Sequence, residues 1–294
     1  MELFLNQLIN GLNTGSIYAL VAIGYTMVYG IIRLINFAHG EIMMFGAYFA
    51  FLFAFTLPFK LPFLIVILLS MTVAAIMGII IEKVAYKKLR HAPRISALIT
   101  AIGMSLFLQN LALLIFGANP KVMKPLISTE PIVIFGYSVA RLTVLTIILS
   151  VLFMVVLSLF VKHTKSGKAM RAVSMDKEAA LLMGINVDSV ISLTFALGSA
   201  LGALGGIFYA MAYVQVFPTL GVMPGLKAFI AAVFGGIGNI GGAMLGGYII
   251  GIIETMVKAY VSSKWVDAIV FGLLIVILLF KPSGILGKHE REKV

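Results

Sequence analysis

The chain has 294 residues, 61% of them hydrophobic and only 11% charged, with a formal net charge of +11 and no cysteine. Soluble domains carry about 25% charged residues, so this much apolar surface cannot be hidden from water in a globular core and lipid must be the solvent. The missing cysteines exclude a disulfide framework, a thiol nucleophile and a cysteine-based metal site, and nucleic acid is not the expected partner, because the basic residues sit between hydrophobic runs as topology signals.

Apolar runs near the roughly 20 residues that a bilayer core requires fall at 12–32, 38–57, 62–85, 95–117, 140–161, 190–213, 241–259 and 266–281. The first leads into further spans without an A-x-A-like cleavage site, so it is expected to stay rather than be removed as a signal peptide. A further apolar piece, 226–237, is too short to cross alone. No low-complexity linker divides the chain. The expectation is an all-α polytopic membrane protein, a single transmembrane domain over 1–294 with about eight helices plus one short segment.

Basic residues orient these spans. The densest loops are 82–94, with Lys83, Lys87, Lys88, Arg90 and Arg94, and 162–188, with Lys162, Lys165, Lys168, Arg171 and Lys177. Two spans separate them, so both can be cytoplasmic, which places Arg33 inside and the N-terminus outside. The basic tail (Lys281, Lys288, Arg291, Lys293) belongs inside as well. That holds if 226–259 leaves and returns on the same face, either as a re-entrant hairpin through Gly235–Gly242 or as a pair of short crossing helices.

Ionisable groups within spans are costly and mark function by default. The sharpest cluster is Asn36-Phe37-Ala38-His39-Gly40-Glu41, at the junction of the first two spans. A continuous helix would put Arg33, Asn36, Phe37 and Gly40 on one face, while Gly30 and Gly40 allow a broken helix that exposes backbone groups at membrane depth. The alternative is a cytoplasmic turn with Arg33 among the lipid headgroups and Asn36 capping the next helix. Gln109 and Asn110, midway along the fourth span, are expected to make interhelical hydrogen bonds. His39 has no second histidine nearby to make a metal site.

One charged island, 162–188, interrupts the apolar sequence and contains Glu178-Ala179-Ala180 followed by Gly184. Ser174 is the expected N-cap, with Asp176 and Glu178 near the positive end of the helix dipole. Gly184 is placed to end the helix in the left-handed conformation. Met175, Ala179, Leu182 and Met183 then form one apolar stripe on a helix too short to be stable alone in water. Such a helix either caps its own bundle or seats in a cytoplasmic partner's groove.

Gly198, Gly202, Gly205 and Gly206 have the small-xxx-small spacing that permits close helix contact, and the glycines from Gly235 to Gly247 either do the same or let backbone reach a translocation path. Glu254 and Lys258, spaced i, i+4, read as a surface pair. Enzymatic signals are absent: Gly167-Lys168 lacks the rest of a phosphate-binding loop, and no H-E-x-x-H or G-x-S-x-G occurs. No catalytic residue and no metal site is assigned.

Asn13-Thr14-Gly15-Ser16-Ile17-Tyr18-Ala19-Leu20, Gly24-Tyr25-Thr26-Met27-Val28-Tyr29-Gly30, the Asn36–Glu41 cluster and Gly46-Ala47-Tyr48 together resemble the membrane permeases of bacterial branched-chain amino-acid ABC importers, most of all their H-type subunits in Liv systems. The similarity continues through Arg171-Ala172, Ile185-Asn186-Val187, Gly235 to Gly247 and Lys281-Pro282-Ser283-Gly284-Ile285-Leu286-Gly287, nearly the whole chain. The resemblance implies a multi-pass subunit of the bacterial inner membrane, paired with a second, M-type permease, two cytoplasmic ATPase subunits and a periplasmic or lipid-anchored binding protein. ATP would be used by the partners, and this chain would need no cofactor.

By the same resemblance, the loop at about 162–189 would seat on the ATPase through Met175, Glu178, Ala179, Leu182 and Gly184, although no Leu-Pro ending follows the E-A-A motif here. Asn36, His39, Glu41, Gly235, Gly236 and Asn239 are the candidate residues of the translocation path. With no charged pair set for a zwitterion within the spans, substrate selection is expected to rest with the binding protein. The same family includes urea and short-amide permeases, which leaves the cargo open. An ATP-independent carrier using His39 or Glu41 as a proton relay, and a membrane-embedded enzyme using both, are the other readings; neither explains the charged island.

Overall fold

The structure is a computed structural model in which residues 2–90, 92–128, 130–134 and 137–287 are described. Lys288, Arg291 and Lys293 of the basic tail lie outside the described residues. The first helix, α1 (Glu2–Ile32), starts well before the apolar run at 12–32 and ends where Arg33 takes a left-handed φ of 59°. The chain then runs through 33–38 to α2 (His39–Phe55). Pro62 and Pro93, with φ near the helical value and no N–H to lose, immediately precede α3 (Phe63–Ile81) and α4 (Arg94–Phe116). α3 continues through a π-helical turn, Glu82–Tyr86, and a short 3-10 turn, Lys87–Leu89.

β1 (Lys121–Val122) and the hairpin of β2 (Pro131–Ile134) with β3 (Tyr137–Ala140) lead to α5 (Arg141–His163). The charged island folds as α6 (Lys165–Met175) and α7 (Lys177–Leu182), followed by α8 (Val187–Tyr213). β4 (Gln215–Val216) pairs antiparallel with β1, tying the loop after α8 to the loop after α4. α9 (Val222–Gly235), α10 (Ile240–Tyr260) and α11 (Val266–Phe280) complete the described chain.

Among the described residues, seven helices are long and apolar enough to cross a bilayer (α1, α3, α4, α5, α8, α10 and α11), with α2 and α9 shorter. The protein is an all-α polytopic membrane protein. A helix apolar on every side must be surrounded, and α1 is: Ser16 through Val28 are all buried, enclosed mainly by α8, α9 and α10. α4, α5 and α11 lie at the periphery and turn large apolar side chains outward, among them Ile99, Leu114, Leu152 and Leu279, as a lipid solvent permits.

Small residues set the distance between the central helices. A Cβ at Gly206 on α8 would lie 1.9 Å from the Met43 carbonyl oxygen on α2, so those backbones touch. Gly206→Ala is therefore expected to destabilise the chain by about 1–3 kcal/mol. Gly103→Ala on α4, with nothing within 4 Å of the new carbon, should change stability by less than about 0.5 kcal/mol. Thermal melting of the two detergent-extracted variants checks the contrast; equal losses would mean that α2–α8 contact does not limit stability.

Two helices begin inside the bundle. His39, at the start of α2, packs against Gly24, just over two turns or roughly 12 Å back from the end of α1. The break falls at Arg33 rather than at Gly30 or Gly40. Residues 214–221 return in the same way from the end of α8, so that Gly221 and Gly225 at the start of α9 meet Gly40. α9 then runs on until Gly238 lies beside Gly30, close to the end of α1, and Gly236 touches Gly284 and Gly287 beyond α11. This turn shares the face of Arg33 and of the C-terminal segment. Residues 214–235 therefore run from the end of α8 toward the end of α1 as an irregular stretch, with only Gln215–Val216 as strand and 218–221 as turn, followed by a half-length helix.

Candidate functional site

The starts of α2 and α9 face a cavity of about 160 Å³ lined by Tyr25, Phe37, Gly40, Glu41, Ile102, Ser105, Leu106, Gln109, Gly221, Val222, Gly225 and Leu226. Glu41, in the first turn of α2, is 2% exposed. Its Oε1 accepts hydrogen bonds from Gln109 Nε2 at 2.8 Å and Ser105 Oγ at 3.0 Å, both on α4. Its Oε2 is buried with no hydrogen-bond partner. Gln109 thus makes the interhelical bond expected of it. Asn110 does not; it donates to the Leu106 carbonyl of its own helix and faces outward.

Phe37 and Gly40 of the Asn36–Glu41 cluster line this cavity with Glu41, whereas His39 and Asn36 stand beside it. His39 is buried between Gly24 and Gly202, its ring edge-on to Tyr25 at 4.7 Å between centroids. No group of three potential metal ligands occurs among the described residues. Asn36 is also buried, and its Oδ1 accepts from Tyr86 Oη at 2.7 Å. The side chain is therefore engaged with the α3 extension instead of capping α2, whose N-cap residue is Ala38. Gly235, Gly236 and Asn239 are remote from Glu41. Gly235 packs on Gly242, and Asn239 caps α10 through Gly242 N while donating to the Leu286 carbonyl.

Glu254 corrects the surface-pair expectation. It is 2% exposed and binds Lys258 at 2.5 Å and Lys227 at 3.2 Å, while Tyr18 Oη donates to its Oε2 at 2.8 Å. Lys227 reaches Asp267 at 2.9 Å as well. The i, i+4 spacing is real, but the fold brings Tyr18 of α1 and Lys227 of α9 onto the same carboxylate, and Asp267 of α11 joins only through Lys227. Lys227, a lone cation inside a short apolar segment, was the sequence signal for this network. Likewise Ser105 and Gln109, polar at i, i+4 on an apolar helix, pointed to a partner such as Glu41.

The charged island is two helices rather than one. Asp176, extended at φ −154° and ψ 115°, breaks them, and its Oδ1 accepts from Glu178 N and Ala179 N. Asp176 is therefore the N-cap. Ser174, still within α6, donates instead to the Arg171 carbonyl. Gly184 adopts φ 80°, with Gly184 N on the Leu181 carbonyl and Ile185 N on the Ala180 carbonyl, a left-handed stop as expected. Ala180 is buried against the chain's own helices, whereas Met175, Leu181, Leu182 and Met183 project outward at 63–86% exposure.

Beneath α7, Arg90 pairs with both buried Glu82 and Asp188, and Lys87 reaches Asp188 at 2.7 Å. Partial burial first, then the Arg90 and Arg33 charges, hold the Lys177 ammonium below the usual lysine range. The helix pair thus stands over the 82–94 loop and the start of α8.

A lipid-facing helical bundle with two helices broken at mid-depth beside a buried carboxylate has the organisation of a membrane transporter. The family described as branched-chain amino acid transport system / permease component matches residues 7–279. The chain belongs to that family. It is 44% identical to the high-affinity branched-chain amino acid transport system permease protein LivH of Escherichia coli K12, over 99% of this chain and 98% of that one. The corresponding protein BraD of Pseudomonas aeruginosa is 43% identical over the same shares. The ribose import permease protein RbsC of Escherichia coli K12 is 24% identical, over 93% of this chain and 84% of its own.

Proposed function

We propose that this chain is a permease subunit of an ATP-binding-cassette importer that carries leucine, isoleucine or valine into the cytoplasm across the bacterial inner membrane. The observation that carries this reading is the family match along nearly the whole chain. The chain itself is not an enzyme; two ATPase subunits supply the energy, a second permease completes the pathway, and an external binding protein delivers the substrate.

In this reading α7 is the seat of the ATPase. A six-residue helix does not stand alone in water, and its outward Leu181 and Leu182, with flanking Met175 and Met183, suit an apolar groove. Glu178, Ala179 and Gly184 hold its ends. Movement of α7 is carried to the start of α8 at Asp188, which Arg90 ties to Glu82. α8 in turn touches His39 through Gly202 and Met43 through Gly206, so the load reaches α2. Asn36, His39 and Glu41, with the Gly235-Gly236 and Asn239 turn, are the elements of the path that this movement rearranges.

The test is radiolabelled leucine uptake into vesicles from cells co-expressing this chain with its genomic neighbours, with binding protein and ATP each supplied or withheld and urea as competitor. Uptake requiring both is expected. Urea uptake in place of leucine would replace the cargo, and uptake without ATP would overturn the mechanism.

A further inference from the structure

The cavity between α2 and α9 is built for a charged ligand with an apolar flank. A buried carboxylate oxygen without a partner is the costly half of an unfinished interaction, and Glu41 Oε2 is one. The carboxylate is held in place by Gln109 and Ser105, which occupy only Oε1. Facing it is the first turn of α9, whose Val222 and Gly225 line the same cavity. That turn is the positive end of a 14-residue helix and favours an anionic group. Gly40, Gly221 and Gly225 bring the two backbones into contact there. The remaining wall is apolar, aliphatic at Ile102, Leu106 and Leu226 and aromatic at Tyr25 and Phe37.

We infer that this cavity is a substrate-binding station for an α-amino acid with an aliphatic side chain. The ammonium group sits on Glu41 Oε2, the carboxylate at the first turn of α9, and the side chain against Ile102, Leu106 and Leu226. No charged side-chain pair is needed, because the positive partner is a helix end, invisible as a charge in the sequence. The station rests on the importer reading and adds to it: selection is not left wholly to the binding protein. Urea, which has no ionic groups, can only hydrogen-bond at Glu41 Oε2 and the helix end and gains no charge pairing at either.

The experiment uses the complete importer in proteoliposomes, with leucine bearing a diazirine on its side chain as the probe. Light during turnover is expected to label 102–109 and 222–226, with labelling and leucine uptake both falling at least tenfold in Glu41→Gln. That substitution keeps an acceptor oxygen for Gln109 and Ser105 and removes the charge. Leu106→Trp, which fills the cavity from the outer helix, should also abolish labelling of 222–226. Binding-protein-stimulated ATP hydrolysis reports whether each variant is assembled. Wild-type labelling elsewhere, or unchanged uptake in assembled Glu41→Gln, would overturn the station and leave the importer reading intact. Failure of the wild-type complex to take up leucine with ATP and binding protein would instead overturn both.

Discussion

Glu254→Leu is expected to destabilise the chain by about 3–5 kcal/mol, because it strands a buried cation. Lys227 is 7% exposed, and after the substitution only Asp267, half-exposed and 2.9 Å away, would remain to it. Tyr18 would lose its acceptor as well. Removing both buried partners changes the sign of the argument. In Glu254→Leu/Lys227→Met no buried charge is left between α9 and α10, and most of the loss should be recovered, since apolar replacement of a whole buried pair is often neutral. Thermal melting of the detergent-extracted single and double variants measures this coupling. A double variant as unstable as Glu254→Leu would show that shape, not charge, matters at this position.

Gly184→Pro should lower ATP-driven uptake by roughly a hundredfold while membrane insertion continues. Gly184 holds φ 80° and donates to the Leu181 carbonyl. Proline fixes φ near −65° and has no N–H, a change that costs about 3 kcal/mol or more where neither can be accommodated. At 1.4 kcal/mol per tenfold, that removes about two decades of the seated arrangement of α7. Asn, which tolerates the left-handed region, should restore uptake in Gly184→Asn. Glu178→Lys reverses the charge at the positive end of α7 and should lower uptake in the same direction. Substrate-stimulated ATP hydrolysis, measured beside uptake and membrane abundance, separates uncoupling from misfolding. Normal uptake with Gly184→Pro and Glu178→Lys would remove α7 from the coupling role.

Each of these sites shows how far local pattern reaches. The left-handed stop at Gly184 was legible because only a residue without Cβ adopts that conformation freely, and glycine followed an apolar stripe. The N-cap was displaced by two residues: Ser174 and Asp176 can both cap, and the choice fell to Asp176 because α6 extends through Met175. α9 was legible as an apolar piece too short to span. Its partner stretch 214–221 was not, because a two-residue strand followed by a turn carries no hydrophobic period.

Composition alone determined that this chain lives in lipid, and run length determined a bundle of apolar helices long enough to cross it, because hydrophobic thickness acts on each segment independently of its neighbours. The motif residues determined the family. Only the tertiary structure decided that α2 and α9 start at the same depth, that Glu41 faces a helix end, and that Glu254 joins α1 and α9 to α10. Those are relations between residues far apart in the chain, and burial, unlike hydropathy, is a property of what a residue is packed against.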